Sequence, residues 1–279
     1  MTATTDIIVL GAKGRMGQMV LQACAQRIRS AAPGAAPALR VVGAIEPPGS
    51  PHLGLKTGVD GIDVAIGAEV EPLLGPGSVV VDFSAPQASL AALAAVRRKG
   101  AAMVICTTGF TADQKAEIDA AAREVSLVMA PNMSVGVTLM FRVAEMVAKV
   151  LGPDFDVEIV EAHHNQKKDA PSGTALGFAE AVARGHQVKL SEKANYGREG
   201  LTGARPKGEI GIHAVRGGDI VGDHTVLFAG DGERIELKHV AHSRMTFAQG
   251  AVKAALFLRP AGKAAKGPGL YTMFDVLGL

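Results

Sequence analysis

Apolar positions along the first half of the chain fall into short unbroken blocks separated by longer periodic stretches. The blocks at 7–10, 40–45, 79–83, 102–106 and 126–129 carry almost no polar alternation, as expected of strands buried on both faces. Between them, Met16, Met19, Val20 and Ala23 recur with helical spacing, an Ala-rich stretch runs from Pro86 to about Arg98, and 111–124 carries an Ala/Ile stripe. Strands alternating with helices predict a doubly wound parallel sheet. Beyond 132 the pattern changes. An apolar helix is predicted over 135–151, a Val/Ile-rich strand with charged residues between over 155–162, and a helix through Ala175, Leu176, Phe178, Ala179 and Val182. Strands are predicted at 209–215, 225–229 and 234–240, with Gly230-Asp-Gly232 as a hairpin turn between the last two. This half is therefore antiparallel or mixed. A helix is predicted from Ser243 through Met245, Phe247, Val252, Leu256 and Leu258, followed by a short strand within 268–279. Residues 30–38, 47–61 and 186–209 read as irregular.

Length and composition narrow the classes. A chain of 279 residues with 48% hydrophobic and 20% charged content suits a globular protein of about two domains. A net charge of +2 gives no footprint for nucleic acid or an anionic membrane, so a cationic site must be local. Cys24 and Cys106 fall in a helical and a buried-strand pattern and read as core thiols of a reducing compartment. The start of the chain lacks a basic signal region, and no apolar run reaches the ~18 residues that span a membrane, so a cytoplasmic location is expected.

In a doubly wound sheet, ligands bind outside the carboxyl ends of the strands. The first strand is followed by Gly11-Ala12-Lys13-Gly14-Arg15-Met16-Gly17 and then a helix, the context a dinucleotide fingerprint requires. The spacing departs from G-x-G-x-x-G, since Ala12 takes the first glycine's place and Gly11 precedes it. Glu46 ends the second strand, where an acid would hold the adenosine ribose hydroxyls. Lys13 and Arg15 become charge partners if a pyrophosphate lies beside them.

The stretch 158–175 concentrates the remaining chemistry. On its strand, Val157, Ile159, Glu161 and His163 share one face, and Glu158, Val160, Ala162 and His164 the other. The strand must end before Pro171, and Ser172-Gly173-Thr174 opens a helix with Ser172 or a neighbour as N-cap. Two imidazoles, the ammonium groups of Lys167 and Lys168, and a fresh helix N-terminus predict a small carboxylate or phosphate ligand that needs a proton donor as it reacts. A solvated loop before a capped helix explains any one of these residues but not the set. Adjacent histidines on opposite faces make a poor chelate, so no metal is expected. The histidines at 52, 186, 213, 224, 239 and 242 lack a partner pattern and are read as surface or hairpin residues.

The run Glu161-Ala-His-His-x-x-Lys167-x-Asp-Ala-Pro-Ser-Gly-Thr-Ala175 resembles the signature of the dihydrodipicolinate reductase family. The resemblance extends over nearly the whole chain, through Asp82-Phe83, Thr107-Thr-Gly109, Tyr196-Gly-Arg-Glu-Gly200, Gly217-Gly-Asp-Ile-Val-Gly222 and Ser243-Arg-Met-Thr-Phe247. It implies a Rossmann-like α/β domain at 1–131 with 245–279, and an α+β substrate and oligomerisation domain at 132–244. The implied reaction is NADH- or NADPH-dependent reduction of 4-hydroxy-tetrahydrodipicolinate (dihydrodipicolinate), a cyclic dicarboxylate, to tetrahydrodipicolinate in lysine and diaminopimelate biosynthesis. The resemblance further implies a homotetramer joined through the second domain's sheet. It makes cofactor contacts of the glycine loop, Phe83, Thr107, Thr108, Gly109, Ala130, Pro131, Asn132, Met133 and Arg244, the last of which it places near the domain junction. On this reading His163 is the acid and Lys167 the second donor or electrostatic stabiliser. His164, Lys168, Ser172 and the Gly173-Thr174 backbone bind carboxylate. Another NAD(P)H-dependent imine or carbonyl-acid reductase, and a non-catalytic NAD(P)H sensor, stand as alternatives.

One departure bears on the cofactor. Some relatives follow the strand-end acid with Arg, which meets the 2′-phosphate of NADPH, whereas here Pro47-Pro48 follows Glu46. The expectation is dual use with NADH at least as good.

Overall fold

The computed structural model describes residues 4–32, 34–259 and 265–279; Pro33, within the Ala/Pro-rich segment, lies outside them. In chain order the elements are β1 (Thr5–Leu10), α1 (Arg15–Arg29), β2 (Leu39–Ile45), β3 (Ile66–Gly67), β4 (Ser78–Asp82), α2 (Pro86–Lys99), β5 (Ala102–Ile105), α3 (Ala112–Ala121) and β6 (Ser126–Met129). There follow α4 (Val135–Leu151), β7 (Asp156–His163), α5 (Gly173–Gly185), α6 (Leu190–Lys193), β8 (Ala194–Asn195), β9 (Ile210–Arg216), β10 (Asp223–Gly230) and β11 (Glu233–Val240). The chain closes with α7 (Met245–Leu258), β12 (Gly269–Tyr271) and α8 (Met273–Leu277). The elements absent from the sequence reading, β3, α6, β8 and α8, are all five residues or shorter, too short to show a period. The helix expected over 111–124 starts with a Thr111–Gln114 capping box but ends at Ala121.

The chain divides into two compact units, Met1–Ser134 with Met245–Gly278, and Val135–Arg244 with Leu279. The first unit is built on a seven-stranded sheet in the order β12-β6-β5-β4-β1-β2-β3, with every pairing parallel. Its central strands are apolar in their middles because both faces are covered there. Ile7, Val9, Val79, Val81 and Val104 pack with Val20, Leu21 and Cys24 of α1 and Ala251 and Leu258 of α7. Ile8, Leu10, Val80, Met103 and Ile105 face Leu93 and Val96 of α2 and Ile118 of α3. The order reverses between β1 and β4, which makes their carboxyl ends the topological switch point. The tail supplies β12, which adds to the sheet edge beside β6.

The second unit has a five-stranded mixed sheet, β11-β10-β7-β9-β8. β7 lies at its centre, antiparallel to β10 and parallel to β9. One face is buried, where Val157, Ile159, Ile212, Val226 and Phe228 pack against Phe178, Ala179 and Val182 of α5 and Ala144 and Ala148 of α4. Glu161 and His163 continue that inward row of β7, so two ionisable groups end an otherwise apolar stripe. Asp231 and Gly232 connect β10 to β11, with Gly230 opposite Glu233.

Candidate functional site

In the first unit the loops after β1, β2, β4, β5 and β6 all leave the carboxyl edge of the sheet. The glycine turn is set by close approach. Gly11 has φ +77°, and a Cβ there would lie 2.8 Å from the Phe83 carbonyl oxygen. A Cβ on Gly17 would lie 2.0 Å from the Gly11 carbonyl oxygen, so the start of α1 is pressed against its own turn. Gly14 is the N-cap of α1 and supplies no side-chain cap, which leaves the first-turn N–H groups for an anion. Gly11, Gly14, Glu46, Pro47, Pro48, Phe83, Ser84 and Arg98 line a cavity of about 680 Å³.

The individual side chains divide into groups with different jobs. Glu46 accepts the Lys13 N–H at 2.7 Å, fastening the turn to the end of β2, while the Lys13 ammonium donates to the Thr57 carbonyl at 3.0 Å. Arg15, Thr108, Gly109 and Pro131 are exposed. Ala12 and Met133 are buried in the core, and the half-buried Met16 packs against it. Thr107 donates its hydroxyl to Asp82 at 2.9 Å and accepts the Ser84 N–H at 3.0 Å. Asp82 is fully buried and also accepts from the Ser84 N–H and the Ser84 and Ser89 hydroxyls. Burial pushes its carboxyl above the usual range and these donors pull it back. Asp82 thereby ties the loops after β4 and β5 together. Ala130 is buried at the end of β6, and the Asn132 side chain accepts the Ser134 N–H at 2.8 Å.

In the second unit, Ser172 caps α5, its hydroxyl accepting the Ala175 N–H at 3.1 Å. A Cβ on the exposed Gly173 would meet open space, so the fold does not demand glycine there. His163 is the last residue of β7, one beyond the predicted end. The strand stops there because the His164 N–H and the His163 carbonyl are taken by the 217–222 loop, through Ile220 O at 2.8 Å and Gly217 N at 2.9 Å. His164 is half-buried, and its Nδ1 accepts the Gln166 N–H at 3.2 Å. The Lys167 ammonium donates to both Asp169 oxygens at 2.9 Å, and Lys168 is exposed. Thr174 is half-buried in the first turn of α5, and Arg244 is half-buried at the end of this unit's run of chain.

The centre of this cluster is a residue the sequence placed on the right face without giving it a role. Glu161 is fully buried, lies 2.6 Å from His163 Nδ1, and accepts from the Ser172 N–H at 2.9 Å and from both terminal nitrogens of Arg216 at 2.8 and 2.9 Å. Burial would raise its carboxyl, but the bonds from Arg216 and His163 outweigh that and hold it below the usual range. For His163 burial dominates and lowers the imidazole, Lys167 and Arg216 push the same way, and Glu161 opposes them. The signal was available, because a carboxylate on a buried strand face needs a partner.

The reading of His224 is corrected: it is buried, hydrogen-bonded to the Ser172 hydroxyl at 3.0 Å and edge-on to His163 with ring centroids 5.1 Å apart. Burial pushes it down to about 3, so it is neutral near pH 7. Strand register explains this, since His224 of β10 stands opposite Glu161. His213 is likewise no free surface residue, with Nε2 2.7 Å from Glu158. Among the described residues no group of His, Cys, Asp and Glu is arranged to hold a metal, and no helix is long and apolar enough to cross a membrane.

Comparison with known proteins agrees along the whole chain. The family description "Dihydrodipicolinate reductase, N-terminus" matches residues 5–133, and "Dihydrodipicolinate reductase, C-terminus" matches 136–277. A 4-hydroxy-tetrahydrodipicolinate reductase of Nitrosospira multiformis is 48% identical, with 99% of each chain covered. That of Ralstonia pickettii is 47% identical, covering 98% of this chain and 99% of its own. Among solved structures, the dipicolinate-bound dihydrodipicolinate reductase of Paenisporosarcina sp. TG-14 superposes with a TM-score of 0.72 at 25% identity, with 98% of each chain covered.

Proposed function

The chain belongs to the dihydrodipicolinate reductase family, and we infer from that membership that it reduces 4-hydroxy-tetrahydrodipicolinate to tetrahydrodipicolinate with NAD(P)H, a step of lysine and diaminopimelate biosynthesis. When bound, the reduced nicotinamide supplies the hydride. The residues of the first unit fit such a cofactor: an uncapped helix start at Gly14, a turn with no room for side chains at Gly11 and Gly17, and a cavity beside Glu46. Asp82 keeps Phe83, Ser84 and Thr107 in register along that edge.

Loss of the 4-hydroxyl as water leaves a conjugated C=C–C=N ring, and hydride addition to it leaves electron density on the ring, which a positioned acid must meet. His163 delivers that proton, and Lys167 stabilises the charge. The Ser172, Gly173 and Thr174 end of α5, with His164 and Lys168, holds the substrate carboxylates. The observation that carries this assignment is that one buried carboxylate, Glu161, grips both the His163 imidazole and the Ser172 N–H at the start of the anion-binding helix. Turnover of freshly prepared substrate, followed at the nicotinamide absorbance band, tests the activity. No turnover with this substrate, but turnover with another imine or keto acid, would transfer the site to a different reductase.

Pyridine-2,6-dicarboxylate is planar and carries both carboxylates on its ring, so it should compete with substrate. Calorimetric titration of the NADH complex checks this, and absence of binding counts against the α5 anion site.

Cofactor choice turns on Glu46-Pro47-Pro48. A carboxylate repels the 2′-phosphate of NADPH, and proline offers no backbone N–H in its place. Glu46 is already engaged by the Lys13 N–H, and the Lys13 ammonium by Thr57, so a phosphate must draw Lys13 away from a hydrogen bond to gain its charge. Such a charge-assisted contact is worth ~1.5–3 kcal/mol, enough to offset a tenfold bias. Both cofactors should therefore be used, NADH at least as well by kcat/KM, and Lys13→Ala and Arg15→Ala should harm NADPH more. A preference for NADPH of more than about tenfold, roughly 1.4 kcal/mol, contradicts this account of Pro47.

A homotetramer joined through the second unit's sheet completes the proposal. Its support is the apolar exposure of Val160, Val215 and Val240 on the sheet face turned away from α4 and α5. Light scattering of the purified protein decides the mass.

A further inference from the structure

We propose that Glu161 is the positioning residue of proton donation: it keeps a hydrogen on His163 Nδ1, so that Nε2 is the atom that hands a proton to the substrate, and Arg216 holds Glu161 to that task. The proposal rests on the reading of His163 as the acid and adds which nitrogen acts and what fixes it.

The geometry leaves little choice. Glu161 is fully buried, so its acceptor sites are filled by protein groups. Two come from Arg216 in a bidentate pair and one from the Ser172 backbone, all of them obligatory donors. Three donors stabilise the ionised carboxylate, and an ionised carboxylate only accepts. The remaining contact, 2.6 Å to His163 Nδ1, therefore requires the hydrogen to lie on the imidazole nitrogen. Nδ1–H persists whether the ring is charged or neutral, and the proton exchanged on turnover is the one on Nε2. At that end the chain is glycine. A Cβ on Gly222 would lie 3.1 Å from Nε2, so any larger residue would crowd the nitrogen that must meet the substrate.

Arg216 is itself anchored, its second terminal nitrogen also donating to the Asp169 carbonyl at 2.7 Å. The arrangement follows from register. Arg216 of β9 is paired with His163, and His224 of β10 with Glu161, so the three strands deliver their side chains to one place.

The charged and titratable groups facing His163 are Glu161 from its own strand, Lys167 from the loop that follows, Arg216 from β9 and His224 from β10. Glu161 is the one carboxylate among them, and it opposes the lowering of the imidazole by burial, Lys167 and Arg216. The acid works protonated, so kcat falls as pH rises through the His163 pKa in the substrate complex. Removing the Glu161 charge lowers that pKa and moves the alkaline limb to lower pH.

Nitrogen-resolved NMR of His163 in the wild-type protein is the direct test. The neutral ring is expected as the Nδ1–H tautomer, and an Nε2–H tautomer overturns the proposal. In Glu161→Gln the alkaline limb of kcat should move down by at least ~1 pH unit, with kcat near neutrality about tenfold lower or more and the Kd for NADH unchanged. Glu161→Asp, which restores charge, should return the limb part of the way. A merely structural Glu161 would lower the folded fraction without moving the limb. His163→Gln measured in parallel separates the two levels of inference. Wild-type kcat in that variant sinks the acid assignment itself. Loss of kcat there, with an unmoved limb in Glu161→Gln, sinks only the role of Glu161. If Glu161→Gln does not fold, the wild-type tautomer decides.

Discussion

Replacing His163 with Gln is expected to lower kcat by about 10²–10⁴-fold while NADH binds almost as before. Gln keeps a polar side chain on the inward face of β7 but has no proton that titrates near neutral pH. The group lost is one the fold holds by Glu161 at 2.6 Å and frames with His224. His224 is unsuited to replace it, since burial pushes its pKa to about 3. Lys167→Ala should lower kcat in the same range and also raise KM. The Lys167 ammonium now neutralises Asp169, and its removal leaves a carboxylate facing a dicarboxylate substrate. Steady-state kinetics with fluorescence titration of NADH separates the two effects. Retention of wild-type kcat by either variant removes that residue from the mechanism.

Gly17→Ala is expected to damage both stability and cofactor binding, whereas Gly173→Ala should damage only substrate binding. At Gly17 the added methyl would sit 2.0 Å from the Gly11 carbonyl oxygen and 2.8 Å from the Ala12 Cα, both backbone atoms that cannot swing away. Relief requires shifting the turn that positions the first N–H groups of α1. Overpacking of this kind costs about 1–3 kcal/mol, a fall of roughly 2–10 °C in Tm for a protein of this size. A displaced turn should weaken NADH by at least ~10-fold, since those N–H groups are the ones proposed to meet the pyrophosphate. At Gly173 the methyl meets open space in the first turn of α5, where alanine is at least as good a helix former. Its Tm should be unchanged and the KM for substrate higher, because the free space is where the proposed substrate carboxylate approaches. Thermal melts and ligand titrations of the two variants side by side check the contrast. A Gly17→Ala protein with wild-type Tm and NADH affinity would refute the close-packing account of the turn.

Much of this site was legible before any coordinates. The parallel sheet follows from apolar blocks such as 79–83, because a strand covered on both faces cannot carry polar alternation. The glycine turn announced itself by lying between a strand and a helix. The run from Glu161 to Ala175 was legible because strand, loop, cap and helix are contiguous, and the rules that govern them act over a few residues. Even the burial of His163 was implied by its sharing a face with Val157 and Ile159.

Tertiary structure alone decided what those residues touch. Arg216 and His224 lie 53 and 61 positions beyond His163 in the chain, and only the pairing of β9 and β10 on either side of β7 brings them to it. Nothing local distinguishes His224 from His239, and the two are cross-strand partners, yet β10 adjoins β7 and so puts His224 at Glu161, while β11 is the sheet edge. Likewise the bond from the Lys13 N–H to Glu46, and that from Thr107 to Asp82, depend on neighbouring strands ending level. The reason is physical. Helix caps and turns satisfy hydrogen bonds with near neighbours, whereas sheet register is set by which apolar faces fit across strands far apart in sequence. The sequence by itself singled out the His163–Lys167 loop, the helix start at Ser172 and the glycine turn; register decided the carboxylate, guanidinium and second imidazole that surround His163.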